Sequence, residues 1–151
     1  MISGIRVREL ITHCDDRGWF REILRDDDNL LSRFGQLSAT KTYPGVIKAF
    51  HWHRRQDDVW YVSSGNLRAV LHDLRADSPT VGESQQVFMG DDNPVSLFIP
   101  AGVAHGYQVL GNTPAMVIYC TTQCYEPGDP DEERLPFDDP SIGFDWSIQN
   151  R

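Results

Sequence analysis

Short apolar segments separated by glycine- and proline-containing turns constrain this chain most, because helical periodicity is nearly absent. Six such segments recur, at 46–50, 59–62, 67–71, 95–99, 106–110 and 115–120. Many short strands joined by tight turns are typical of jelly rolls and barrels. We therefore expect residues 1–151 to form a single all-β, jelly-roll domain with one or two short helical turns. The best helix candidate is 28–34, where Asp28 is placed to cap the first turn.

Charge and cysteine content narrow the classes of partner. The net charge of −8 argues against duplex DNA and anionic membranes, which bind basic surfaces. No apolar run approaches the roughly 20 residues of a membrane helix. The three cysteines form no disulfide or metal framework, so we expect free thiols in a reducing cytoplasm. Eight acidic residues against two arginines lie in 126–151, and the stretch 126–140 is expected to be a surface excursion.

A histidine constellation is the sharpest local signal. His51 and His53 are separated by one residue, so on a strand they project from the same face. Asp58 follows on the next predicted strand, and His105 comes just after a Pro-Gly turn. This spacing resembles the paired motifs of the cupin superfamily, whose metal-binding members hold one divalent ion at such positions. Imidazole and carboxylate groups suit iron, manganese, nickel or zinc, so one divalent metal at these four residues is an alternative reading.

The order of six sequence blocks resembles the dTDP-4-dehydrorhamnose 3,5-epimerase family along nearly the whole chain. Each block alone is a weak match to the family, but six blocks in the same order make the resemblance strong. The blocks are DDRGWFRE at 15–22, similar to D-x-R-G-x-F-x-E; GVIKAFH at 45–51, similar to G-V-L-R-G-L-H; DLRADSPTVG at 73–82; IPAGVAHGY at 99–107; TTQCYEP at 121–127; and 138–146.

The resemblance implies a cupin-type jelly-roll homodimer that needs no metal or other cofactor. Its substrate would be a nucleoside-diphosphate 4-keto-6-deoxyhexose, used in deoxysugar biosynthesis. By this resemblance His51 removes a proton beside the 4-keto group, and Tyr125 returns one to the opposite face. The N-terminal strand would be exchanged with the neighbouring subunit. The substrate-binding residues that we expect are Arg17, Phe20, Glu22, Gln36, Lys48, His53, Asp58 and His105.

The implied chemistry agrees with the side chains. A proton beside a ketone is acidic only because the enolate spreads its charge onto oxygen, so the site needs a base and an oxyanion donor. Histidine titrates near neutral pH and suits the base. An arginine such as Arg17 is shaped to bind a diphosphate through two hydrogen bonds.

Three departures from the family pattern leave alternatives open. Trp52 and His53 stand where the family has Tyr-Gln, and Asp58 stands where it has a sugar-contacting lysine. The chain also lacks the longer C-terminus that supplies a carboxylate to orient the histidine base. A metal-dependent cupin enzyme, a keto-sugar 3,4-isomerase and a non-catalytic sugar-binding domain therefore remain alternatives.

Overall fold

The computed structural model describes residues 1–148, and these form twelve short strands and one 3-10 turn, Asp26–Asp28. The strands are β1 Arg6–Glu9, β2 Thr12–Asp15, β3 Gly18–Arg21, β4 Gln36–Thr42, β5 Ile47–Trp52, β6 Asp58–Ser64, β7 Asn66–Asp73, β8 Ser84–Gly90, β9 Val95–Ile99, β10 Val103–Leu110, β11 Ala115–Thr121 and β12 Glu133–Arg134. The six apolar segments singled out in the sequence correspond to β5, β6, β7, β9, β10 and β11, so the all-β prediction is confirmed. No helix in the part of the chain that the structure describes is long and apolar enough to cross a membrane.

Two five-stranded antiparallel sheets face each other as a jelly roll. One sheet has the order β1-β9-β6-β11-β4, and the other has the order β12-β5-β10-β7-β8. Alternate residues of the central strands, such as Leu67, Leu97 and Val109, point inward and are almost fully buried. This apolar core occupies one end of the sandwich, and the inward-facing residues at the other end are largely polar.

The predicted helix at 28–34 is wrong. The only helical turn among the described residues precedes it, at Asp26–Asp28, and Asn29 ends that turn in the left-handed conformation. Leu30 then packs in a small cluster with Val59 and Phe98 on the outer face of the first sheet. Burial of this leucine, which an extended path allows, outweighs the weak helical propensity of the segment.

The segment after β11 returns across the domain instead of leaving it. Backbone hydrogen bonds join Phe50 and Leu135 in both directions, at 2.8 and 3.0 Å, where β12 pairs with β5. Further along, Phe144 and Trp146 pack with Phe50 on the outer face of the second sheet. The stretch 126–140 therefore lies on the surface as expected, but it is also a structural part of the sheet.

The block at 73–82 is a folding motif. Asp73 is fully buried, and its carboxylate accepts hydrogen bonds from the Arg75 guanidinium at 2.8 Å, Ser78 Oγ at 2.5 Å and Thr80 Oγ1 at 2.7 Å. Gly82 closes the loop with a φ of 80°, a conformation that favours glycine. No residue of this loop lines the cavity, and its hydrogen bonds fix the connection between β7 and β8.

Candidate active site

A cavity of about 640 Å³ lies at the polar end of the sandwich. Both sheets contribute to it, because inward-facing residues of β4, β5, β6, β10 and β11 line its walls. The returning segment at 131–135 forms part of its rim. Most of the residues that line it are polar and lie outside the apolar core. A concave site of this kind is where a small molecule would bind.

The floor of the cavity brings together His51, His53 and Asp58, and His105 is buried directly beneath them without lining the cavity. His51 on β5 and His105 on β10 are direct cross-strand partners, and their ring centroids are 4.2 Å apart. The two strands approach closely beside them, because a Cβ on Gly106 would lie only 2.3 Å from the Cβ of Ala49. Asp58 enters from β6 of the other sheet, and His53 follows the end of β5.

These four side chains form one tight group. A side-chain nitrogen or oxygen atom of each of His51, His53, Asp58 and His105 lies within 4.8 Å of the others. His53, Asp58 and His105 are buried, whereas His51 is half-buried and faces the cavity. The geometry predicted from the i, i+2 spacing and the later histidine is therefore present.

Hydrogen bonds orient three of the four groups. His105 Nδ1 donates to the carbonyl of Val103 at 2.9 Å, and His53 Nδ1 donates to the carbonyl of Asp131. Asp58 accepts from Gln56 Nε2 at 2.8 Å and from Trp60 Nε1 at 3.1 Å. His51 makes no side-chain hydrogen bond to any residue that the structure describes.

Burial determines the charge state of the imidazoles. Burial, reinforced by the neighbouring rings of His105 and His53, lowers the pKa of His51 to about 3. Burial and His53 lower the pKa of His105 to about 3 as well. Both rings are therefore neutral near pH 7, which is the form that accepts a proton or coordinates a metal.

The other predicted residues divide into two groups. Gln36, Lys48 and Tyr125 line the cavity above the histidines; Lys48 Nζ donates to Thr40 Oγ1 at 3.0 Å, and Tyr125 is 60% exposed. Arg17, Phe20 and Glu22 do not line the cavity of their own chain. Arg17 and Phe20 lie on the β2–β3 hairpin, and Glu22 follows it, paired with Arg25 at 2.8 Å.

Three functional residues come from the returning segment and were missed in the sequence. The carboxylate of Asp131 accepts hydrogen bonds from the backbone N–H groups of Arg54, Arg55 and Gln56 at 2.9 to 3.0 Å. It thereby holds the loop that carries His53. Burial raises the pKa of Asp131, but these three donors outweigh burial and bring it below its ordinary value. Glu132 and Arg134 line the cavity and pair with each other at 2.7 Å.

The excess of acidic residues after position 125 was the available signal for this segment. Two carboxylates of this segment, those of Asp131 and Glu132, line the cavity that holds the histidines. Composition alone cannot show which acidic residues of the segment face the cavity. The resulting cavity has a neutral histidine on its floor, a phenol at its rim, and Lys48 and Arg134 in its wall. Such a site can bind an anion at its mouth and exchange a proton deeper in.

Comparison with known proteins points in one direction. The whole chain, residues 1–151, matches the protein family described as dTDP-4-dehydrorhamnose 3,5-epimerase. The spore coat polysaccharide biosynthesis protein SpsL of Bacillus subtilis is 56% identical over the full length of both chains. A dTDP sugar isomerase structure from Desulfovibrio desulfuricans G20 has a TM-score of 0.90 at 33% identity, covering 99% of this chain and 94% of that one.

A ligand-bound structure is also similar. The dTDP-6-deoxy-D-glucose-3,5-epimerase RmlC of Legionella pneumophila, in complex with dTDP-4-keto-L-rhamnose, superposes with a TM-score of 0.86 at 27% identity. The match covers 97% of this chain and 80% of that one.

Proposed function

The chain belongs to the dTDP-4-dehydrorhamnose 3,5-epimerase family, and from this premise we propose how its cavity carries out the reaction. The protein is an isomerase that inverts C3, C5 or both in a nucleoside-diphosphate 4-keto-6-deoxyhexose. The observation that supports our assignment of roles is the position of His51. It is a neutral, half-buried imidazole on the cavity floor, and Tyr125 stands at the rim of the same cavity.

We assign proton removal to His51 and proton return to Tyr125. The base takes the proton from the carbon beside the 4-keto group, and the electron pair of that C–H bond becomes the enolate. The phenol then delivers a proton to the same carbon from the other face, which inverts the centre. The two groups come from β5 and from the chain after β11, so a ring bound between them would have one on each side.

The wall of the cavity supplies groups for the rest of the substrate. Lys48 and Arg134 are the cationic side chains of the lining, and we assign them to the diphosphate. Gln36 and His53 are placed to hydrogen-bond sugar hydroxyl groups. The acidic excess of the C-terminal segment does not close the cavity to an anion, because Arg134 lies within that segment and offsets Glu132.

Solvent exchange tests this function and separates the two roles. The protein is incubated in deuterium oxide with dTDP-4-keto-6-deoxyglucose, and NMR follows both deuterium at C3 and C5 and the configuration of the product. The wild type should incorporate deuterium and invert the sugar. Tyr125→Phe should still exchange, because His51 can return a solvent deuteron to the face it came from, but inversion should fall by about 10²- to 10⁴-fold.

Two results would contradict the assignment. Wild-type protein that exchanges no deuterium with any nucleoside-diphosphate 4-keto sugar would overturn the function. A Tyr125→Phe variant that inverts its substrate at the wild-type rate would remove Tyr125 from the mechanism. Product NMR would also reveal movement of the carbonyl between C3 and C4.

We further propose a homodimer in which the β2–β3 hairpin reaches the partner's cavity. The hairpin belongs to neither large sheet, and its Trp19 and Phe20 are 58% and 62% exposed. Exposed aromatic groups on a short hairpin are typical of a surface that a second copy covers. This arrangement would bring Arg17 to a substrate that its own chain does not contact.

Sedimentation velocity checks the dimer. The double variant W19S/F20S should shift the protein toward the monomer and raise the KM for the nucleotide sugar. Phe34→Ser is the matched control, because Phe34 is 69% exposed outside the hairpin. A wild-type protein that sediments as a monomer at all concentrations would refute the exchange.

We place this reaction in the cytoplasm and in polysaccharide biosynthesis. The three cysteines are unpaired thiols, as a reducing compartment favours. The relative at 56% identity is named as a spore coat polysaccharide biosynthesis protein, and its match extends over the full chain.

A further inference from the structure

We propose that Tyr107 is a positioning residue that, through β4, holds Lys48 in the cavity wall for the anionic part of the nucleotide sugar. This inference rests on the proposed function, which assigns Lys48 to the diphosphate. Tyr107 and Lys48 are direct cross-strand partners on β10 and β5, and both line the cavity. Tyr107 reaches across the sandwich to Thr42 of β4, and Lys48 reaches to Thr40 of the same strand. We call these two contacts the β4 clamp.

An irregularity in the pairing of β5 with β10 brings Lys48 into the same cavity as the base. His51 pairs with His105 and Lys48 pairs with Tyr107, so three residue steps on β5 face two on β10. Side chains alternate along a regular strand, and residues three apart would point to opposite faces. The extra residue lets both Lys48 and His51 face the cavity, as bulges beside functional sites commonly do.

The contact between Tyr107 and Thr42 is the buried half of the clamp. The two residues are 4% and 2% exposed, and the phenol oxygen lies 2.8 Å from Thr42 Oγ1. The ring packs in the apolar core, where Trp60 meets it edge-on at a centroid distance of 5.7 Å. Burial raises the pKa of Tyr107, so the phenol keeps its O–H hydrogen near pH 7 and can donate it to Thr42. A ring held in the core therefore fixes the position of β4 at Thr42.

The contact between Lys48 and Thr40 is the exposed half of the clamp. Lys48 Nζ donates to Thr40 Oγ1 at 3.0 Å. Thr40 and Thr42 are two residues apart on β4, so their side chains share its inward face. An ammonium group has three donors and Thr40 accepts one, which leaves two for an anion in the cavity. Because the lysine stem is flexible, the anchor at Thr40 determines where its charge is held.

The position of β4 depends on the clamp because β4 is an edge strand. It pairs with β11 on one side, and its other side has no partner strand among the described residues. Of the side-chain hydrogen bonds in the described part of the chain, only the two of the clamp join β4 to the second sheet. Without the phenol hydroxyl, β4 can move away from β5, and Lys48 then loses its fixed anchor at Thr40.

Binding of dTDP to the intact protein tests the clamp without any catalysis. Isothermal titration calorimetry measures the dissociation constant of dTDP for the wild type and each variant. Lys48→Met should raise this constant by about 10- to 100-fold, because a charged hydrogen-bond donor is lost. Tyr107→Phe should raise it by about 3- to 10-fold, the effect of losing one neutral hydrogen bond. In the Lys48→Met background, Tyr107→Phe should change it by less than about 2-fold, because both residues act through one contact with the ligand.

A double variant separates positioning from simple stability. Tyr107→Phe alone leaves the Thr42 hydroxyl buried without a partner, which also lowers the free energy of unfolding. Tyr107→Phe combined with Thr42→Val removes both polar groups and should recover most of that stability. The clamp is still absent from the double variant, so its affinity for dTDP should stay as low as that of Tyr107→Phe. Thr42→Ser keeps the hydroxyl and should bind dTDP like the wild type.

Tyr43→Phe is the matched control, because Tyr43 is 66% exposed and does not line the cavity. It should bind dTDP with the wild-type affinity. Three results would each overturn the proposal: full affinity in Tyr107→Phe, an equal loss from Tyr107→Phe with and without Lys48, or recovery of affinity together with stability in the double variant. Wild-type protein that does not bind dTDP would overturn it too. The deuterium-exchange assay uses the keto sugar, so it reports separately whether the epimerase function stands.

Discussion

Replacing His51 with glutamine should lower the rate of deuterium exchange into the keto sugar by about 10²- to 10⁴-fold, and inversion should fall with it. Glutamine keeps the size and polarity of the side chain but cannot accept the proton at a useful rate. This outcome differs from that of Tyr125→Phe, where exchange survives. The measurement is the initial rate of deuterium incorporation by NMR under saturating substrate.

The control for this experiment is His72→Gln, which removes an imidazole that bonds to Ser84 and lies outside the cavity. It should exchange at the wild-type rate. If His51→Gln also exchanges at that rate while it remains folded, another group is the base, and Glu132 of the cavity lining is the next candidate.

Replacing Asp73 with alanine should lower the free energy of unfolding by about 2–4 kcal/mol at pH 7, because the half-buried Arg75 guanidinium loses its carboxylate and two hydroxyl groups lose their acceptor. Asp73 is fully buried and also accepts the hydroxyl groups of Ser78 and Thr80. Urea unfolding followed by tryptophan fluorescence measures the difference. Asp77→Ala is the control from the same loop, since Asp77 is exposed and should cost less than about 0.5 kcal/mol.

The pH dependence of that difference can be derived. The hydrogen bonds from Arg75, followed by those from Ser78 and Thr80, hold the pKa of Asp73 well below its usual range despite burial. Its stabilising contribution is therefore complete above the unfolded pKa of about 3.9 and is lost as the pH falls toward the lower folded value. The gap between wild type and Asp73→Ala should narrow below about pH 4. A gap that is constant from pH 7 to pH 3 would contradict the charged network.

Local sequence was sufficient for six of the twelve strands and for half of the site. Strand positions follow from apolar segments bounded by turns, because that pattern depends only on neighbouring residues. His51 and His53 share a face because side chains alternate along a strand. The helix expected at 28–34 failed because Leu30 finds its partners Val59 and Phe98 far along the chain.

The sequence by itself determined the all-β class and the set of histidines, since alternation and spacing are short-range properties. Only the tertiary structure decided what surrounds that set. The polar stretch 126–140 has no periodicity, and its path depends on Leu135 pairing with Phe50 and on Asp131 binding the loop of His53. These long-range contacts place Glu132 and Arg134 in the cavity wall. No pattern of neighbouring residues encodes them, because they depend on which strand edge and which backbone N–H groups the folded sheets leave unpaired.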